Sequence, residues 1–232
     1  ILMYHNICID ESKSIGLTIS ENKLEHQLRY LSENNFESFH FSELKSKTSL
    51  PKKAVVLTFD DVTESQIVLA IPLLEKHNLK ATFFIPFSYI GKTDLWNEGT
   101  KKIATLEQLK KINSPLIAYG YHSFEHTNFS KMTNEEVQID FEKCNQIILE
   151  TGLNVIKTFA YPYGKYPKKG VKNQNFKNTL KENNIDFGLK IGNRVNRFPF
   201  KDNYEIKRID IKGEDSFLKF KIKLRIGKLK LF

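Results

Sequence analysis

Three short clusters in this chain carry residue types that can do chemistry. Thr58-Phe59-Asp60-Asp61 sets two adjacent carboxylates at the end of an apolar run. Such neighbours repel each other unless a cation or a proton sits between them. His122-Ser123-Phe124-Glu125-His126 places two of the chain's six histidines four residues apart. That spacing brings two nitrogens to one side of a turn or helix start, as a divalent metal requires. Phe159-Ala160-Tyr161-Pro162-Tyr163-Gly164 is an aromatic, proline-stiffened turn, suited to a sugar-facing wall or a fixed backbone donor. Each cluster alone has a plainer reading: acids favoured at a helix N-terminus, two histidines without a metal, a tight turn. Together they supply one carboxylate and two imidazoles, three ligands with an open fourth position, which is the pattern of a catalytic zinc. The remaining carboxylate is then a general base beside the metal.

All three clusters fall at predicted strand ends. The run Ala54 to Phe59 is apolar and β-branched and predicts a buried strand ending at the acid pair. Ala81 to Pro86, Leu116 to Tyr121, Val155 to Tyr161, Ile185 to Ile191 and Tyr204 to Ile211 predict further strands, and Ile1 to Tyr4 is a short apolar start. Helices are predicted between them: from an N-cap at Ser20 to Glu33, from Ser65 to His77, from Thr105 to Ile112, from Thr133 to Glu150 with Gly152 as the stop, and over 173–183. Strand and helix alternate along most of the chain, which argues for parallel strands with helical crossovers. Six or seven such units suit a small or incomplete barrel better than an eight-fold one, and strand C-termini are where a barrel carries its chemistry. The expectation is a single-domain α/β protein, a distorted (β/α)7-type barrel over residues 1–232.

In order and spacing, Thr58-Phe-Asp-Asp61, His122-Ser-Phe-Glu-His126 and Tyr161-Pro-Tyr-Gly164 resemble the motifs of the polysaccharide deacetylases, carbohydrate esterase family 4 with its nodulation-protein homology domain. Asn78 to Pro86 resembles the strand that follows the first motif there. Leu2-Met-Tyr-His5-Asn-Ile7 is similar to the circularly permuted bacterial branch acting on poly-N-acetylglucosamine. The resemblance covers residues 1–165 well and the remainder poorly. It implies metal-dependent hydrolysis of the N-acetyl group of an N-acetylhexosamine in a bacterial envelope or exported polysaccharide. Asp61, His122 and His126 would hold the metal, zinc foremost. Asp60 would be the general base, Tyr163 would offer its backbone N–H to the oxyanion, and Tyr161, Pro162 and Tyr163 would face the substrate. The family's late Leu-x-His motif is missing, His126 being the last histidine, so His5 takes the place of the general acid.

The family pattern is not kept everywhere. Val62 stands where glycine is usual, so the turn after Asp61 is expected to avoid a left-handed conformation. Ala160 stands where many members have an arginine that orients the base, and Gly188 to Gly192 offers nothing like the motif that tunes the acid histidine. A weak or inactive polysaccharide-binding relative is the alternative reading. A haloacid-type phosphatase would need Asp-x-Asp, which Asp60-Asp61-Val62 does not supply.

Composition bounds the rest. The chain has 232 residues, 40% of them hydrophobic and 12% aromatic, enough for one sizeable core. No run approaches the ~18 apolar residues of a membrane span. Cys8 and Cys144 form no disulfide framework. The net charge is +9, and Phe217 to Phe232 carries five lysines and one arginine with no acid, six of those nine charges. Apolar and basic residues alternate from Phe217 to Leu224, which predicts a strand with one exposed face, or else a membrane-surface element. A basic segment can meet a membrane or an anionic envelope polymer. No recognition motif accompanies it, so nucleic acid is not expected. The segment opens at Ile1 without a basic-then-apolar leader, which says little about export; a cell-envelope or extracellular location is the expectation, with the cytoplasm as the alternative.

Overall fold

The computed structural model describes residues 1–227; residues 228–232, the end of the basic segment, lie outside the described residues. Seven parallel strands close into a barrel: β1 (Leu2–Tyr4), β2 (Leu57–Asp60), β3 (Ala81–Ile85), β4 (Ile117–Tyr121), β5 (Val155–Ala160), β6 (Phe187–Ile191) and β7 (Ile206–Asp210). They lie side by side in chain order. β1 shuts the ring by pairing with both β2 (Leu2 opposite Leu57) and β7 (Leu2 opposite Ile209). The expected (β/α)7-type barrel is therefore present.

Seven helices accompany the strands: α1 (Glu21–Glu33), α2 (Phe41–Leu44), α3 (Ile71–Lys76), α4 (Leu106–Lys111), α5 (Asn134–Thr151), α6 (Gly170–Glu182) and α7 (Phe217–Ile226). Local chemistry sets their ends. Ser20 caps α1 by accepting the Lys23 amide at 3.3 Å, and Leu24, Leu28 and Leu31 form its buried stripe. Thr133 and Glu136 form a reciprocal cap on α5, and Gly152 ends that helix at φ 68°. The barrel is distorted where this pattern lapses: no helix joins β6 to β7, and a π-helical turn, Gln66–Ala70, precedes α3. The predicted strand 54–59 is divided in two. Ala54–Val55 pairs with Glu37–Ser38, and β2 begins at Leu57.

Side chains alternate along each strand. On β2, Phe59 stacks between Tyr4 (5.1 Å) and Phe83 (4.7 Å), and the Tyr4 hydroxyl reaches Gln27 of α1, so this face meets the helices. Thr58 and Asp60 take the other face, toward the barrel axis, where Arg208 of β7 meets both. Gly120 on β4 makes room there: a Cβ would lie 2.5 Å from the Phe84 ring.

The predicted strand over Phe217 to Leu224 is instead part of α7. The segment carries two periods at once. Phe217, Phe220 and Leu224 also recur at helical spacing, and a closed barrel offers a further strand no open edge. Ser216 caps the helix through the Lys219 amide. Phe217 stacks on His26 of α1 at 3.9 Å, Phe220 is fully buried, and the Lys223 ammonium is buried against Asp215 and donates to the Asp210 carbonyl at 2.6 Å.

Candidate active site

The C-terminal ends of the strands surround a cavity of about 350 Å³ lined by His5, Asp60, Asp61, Trp96, His122, His126, Tyr163, Asp210 and others. They come from the ends of several strands. His5 follows β1, Asp60 ends β2 and Asp61 begins the next turn, Trp96 belongs to the segment after β3, both histidines follow β4, and Tyr163 follows β5.

Asp61, His122 and His126 bring their ligand atoms within 4.8 Å of one another. Asp61 Oδ1 lies 3.3 Å from Nε2 of each histidine. Tetrahedral bonds of about 2.0–2.1 Å put neighbouring ligand atoms roughly 3.3–3.4 Å apart, so both distances fit one ion between them. Asp61 Oδ1 is buried and has no hydrogen-bond partner among the described residues. His122 Nδ1 lies 2.7 Å from the Ala160 carbonyl. A carbonyl only accepts, so Nδ1 carries the proton and Nε2 presents a lone pair to the site. The donor set fits a divalent cation.

Asp60 has a different environment. It is buried, and Arg208 grips both of its carboxylate oxygens, Nη1 on Oδ1 and Nη2 on Oδ2 at 2.7 Å. Arg208 is itself wholly buried, donates to Thr58 Oγ1 at 3.3 Å and sits over the Phe84 ring. Burial pushes the Asp60 carboxyl up, but Arg208, His122 and His5 outweigh it and hold it below the usual carboxylate range. Its Oδ2 lies 3.7 Å from His5 Nε2 and 3.9 Å from His122 Nε2. Gln66 ties two strand ends together from below, donating to the backbone carbonyls of Asp60 (2.6 Å) and His5 (3.0 Å).

The site's backbone is strained. Among the described residues, nine non-glycine residues have positive φ; four are asparagines, and the other five are Asp61, Val62, Ser123, His126 and Tyr163. The expectation for Val62 is overturned, since it adopts φ 49° directly after Asp61 at φ 76°. A β-branched residue there costs roughly 1–2 kcal/mol. Tertiary contacts hold it: its side chain is fully buried and its carbonyl accepts the Ala104 amide at 2.9 Å. The histidine loop is fastened to α5, whose Asp140 accepts the Phe124 amide at both oxygens (3.1 and 3.0 Å). Burial pushes the Asp140 carboxyl up to about 7.

Asp60, Asp61, His5, His122, His126 and Tyr163 are thus brought to one cavity. Tyr161 and Pro162 are not. Tyr161 is wholly buried, its hydroxyl donates to the Tyr204 carbonyl at 2.8 Å, and its ring packs on Tyr166 and Phe176; Pro162 is buried too. Their expected substrate contact is corrected to support for the turn that presents Tyr163, which is 48% exposed. Sequence reasoning sought a base-orienting arginine at position 160 and missed Arg208, 148 residues from its partner. No local signal set it apart, because β7 carries Lys207 and Asp210 as well as Arg208 among its five residues. Trp96 and Asp140 were missed as well.

Residues 47–183 match the polysaccharide deacetylase family. The chain is 26% identical over 176 residues to a putative polysaccharide deacetylase YxkH of Bacillus subtilis, spanning 74% of this chain and 59% of that protein. It is 26% identical over 218 residues to a poly-beta-1,6-N-acetyl-D-glucosamine N-deacetylase of Staphylococcus aureus, spanning 89% of this chain and 72% of that one. The structure of IcaB from Ammonifex degensii superposes with a TM-score of 0.78 at 22% identity, covering 97% of this chain and 95% of that one.

Proposed function

The chain belongs to the polysaccharide deacetylase family, and we propose that it hydrolyses the N-acetyl group of an N-acetylhexosamine in a bacterial envelope or exported polysaccharide, releasing acetate and leaving an amine. One observation carries this reading: Asp61 Oδ1 and the Nε2 atoms of His122 and His126 converge beside a second carboxylate that a buried arginine keeps charged.

Asp61, His122 and His126 would hold a divalent cation, zinc foremost for one carboxylate and two imidazoles, which would supply Lewis acidity and lower the pKa of water to about 7. Asp60 takes the proton of the attacking water, and Arg208 keeps it ionised and aimed for that task. The Tyr163 backbone N–H donates to the oxygen that gains charge as the carbonyl carbon becomes tetrahedral. His5, 3.7 Å from Asp60 Oδ2, donates a proton to the leaving nitrogen as the C–N bond breaks. Two separate groups are needed because one must give up a proton while the other receives one. The exposed basic face of α7 is the proposed contact with a membrane surface or an anionic envelope polymer, with Leu218 and Ile226 exposed beside Lys221 and Arg225.

Acetate release from N-acetylated oligosaccharides, measured with and without a chelator, tests the reading. Chelator-sensitive release is the expected result. Zinc binding without release would reassign the chain as a polysaccharide binder.

A further inference from the structure

The two imidazoles of the triad are held in different ways. His122 is fixed through its second nitrogen by the Ala160 carbonyl. His126 has no such hold: its Nδ1 is buried without a hydrogen-bond partner among the described residues. A metal-ligating imidazole depends on its outer partners for orientation, and His126 also stands on a strained backbone, at φ 52°.

What meets its ring is aromatic. Trp96 stacks on the face of His126 with centroids 4.4 Å apart and planes 23° apart, and Tyr163 meets it at 77° and 4.7 Å. Tyr89 in turn buttresses Trp96 at 4.6 Å and 70°. The segment that carries Trp96 is firmly built. The buried Asp94 carboxylate accepts the Lys101 amide (2.7 Å) and the Asn97 side chain (3.2 Å), and Thr93 bridges to Lys102. Its far end hangs on the turn that carries Asp61, through Thr63 paired with Ile103 and the Ala104 amide on the Val62 carbonyl.

We propose that Trp96 is the positioning residue for His126: its ring face does for this ligand what the Ala160 carbonyl does for His122. The segment from Thr93 to Ala104 then couples two ligands, gripping the Asp61 turn at one end and the His126 ring at the other. One face of Trp96 is taken by His126, so its first task is holding the ligand rather than stacking on a sugar. This inference rests on the metal reading of the triad.

The test measures zinc affinity by competition with a chromophoric chelator for wild type, Trp96→Ala and Trp96→Phe, with circular dichroism as the check on folding. Trp96→Ala is expected to weaken zinc binding by about 10–100-fold, and Trp96→Phe, which keeps a flat ring, to recover most of it. Equal affinity in wild type and Trp96→Ala overturns the proposal, and a raised KM at unchanged affinity assigns Trp96 to the sugar instead. A wild type that binds no zinc removes the metal reading itself, and the inference with it. An independent readout needs no variant, because Trp96 is the chain's single tryptophan. Its emission is expected to change on zinc titration with the midpoint found by competition, and emission indifferent to bound zinc overturns the proposal.

Discussion

Arg208 and Asp60 form a two-pronged ion pair inside the barrel, buried on both sides and joining the last strand of the barrel to its second past the intervening β1. A planar guanidinium matches a carboxylate in a way an ammonium cannot. The pair fixes both the charge and the direction of the proposed base.

Asp60→Asn is expected to abolish acetate release while zinc stays bound at one equivalent. The substitution also leaves the Arg208 charge without its counter-ion, and breaking a buried pair costs about 3–5 kcal/mol. Acetate assay, metal analysis and calorimetry on one preparation read all three outcomes. Loss of the metal in this variant would contradict the role given to Asp60.

His5→Ala is expected to keep the metal and lower the rate by roughly 100-fold or more, the scale of a lost general acid. A rate equal to wild type would take His5 out of the mechanism.

Asp61→Asn is expected to remove the thermal stabilisation by zinc. At a hundredfold excess over the dissociation constant, a ligand stabilises by about 2.7 kcal/mol. For a chain of this size that raises Tm by roughly 5–10 °C. Scans with and without zinc give the shift for wild type, and the variant should show none.

Asp140 is expected to make stability fall as pH rises. Its carboxyl rises from an ordinary 3.8 to about 7 in the fold because burial disfavours the charged form. Between those values the native state holds a proton that the unfolded chain has released, so stability declines as pH climbs and the loss is complete above pH 7. Asp140→Asn does not titrate. Its unfolding free energy minus that of wild type is expected to grow by roughly 4 kcal/mol from pH 4 to pH 8. A difference flat across that range would refute the assignment.

The barrel was legible because β2, β3 and β4 are largely apolar runs, β2 and β4 leading into Asp60-Asp61 and His122, and because Ser20, Thr133 and Gly152 punctuate α1 and α5. The convergence of Asp61, His122 and His126 was legible because the three lie in short motifs at strand ends. What escaped depends on contacts across the fold. Arg208 meets Asp60 only once β7 lies beside β1, and no spacing encodes that distance. Val62 tolerates its left-handed backbone because Ala104 and the surrounding core hold it, a cost that local propensity counts and tertiary packing repays. Tyr161 looked like a wall residue beside Tyr163 because position in a motif does not say which ring turns inward. In α7 two periodicities coexist in ten residues, and only the absence of a free barrel edge decides between them.

The seam between β1 and β7 sets an order of events. His5 leaves the first strand, Arg208 sits on the last, and Asp60 waits on the second for both. During synthesis Asp60, Asp61, His122 and His126 all emerge before Arg208, so the buried pair between Asp60 and Arg208 forms only once β7 has been added beside β1.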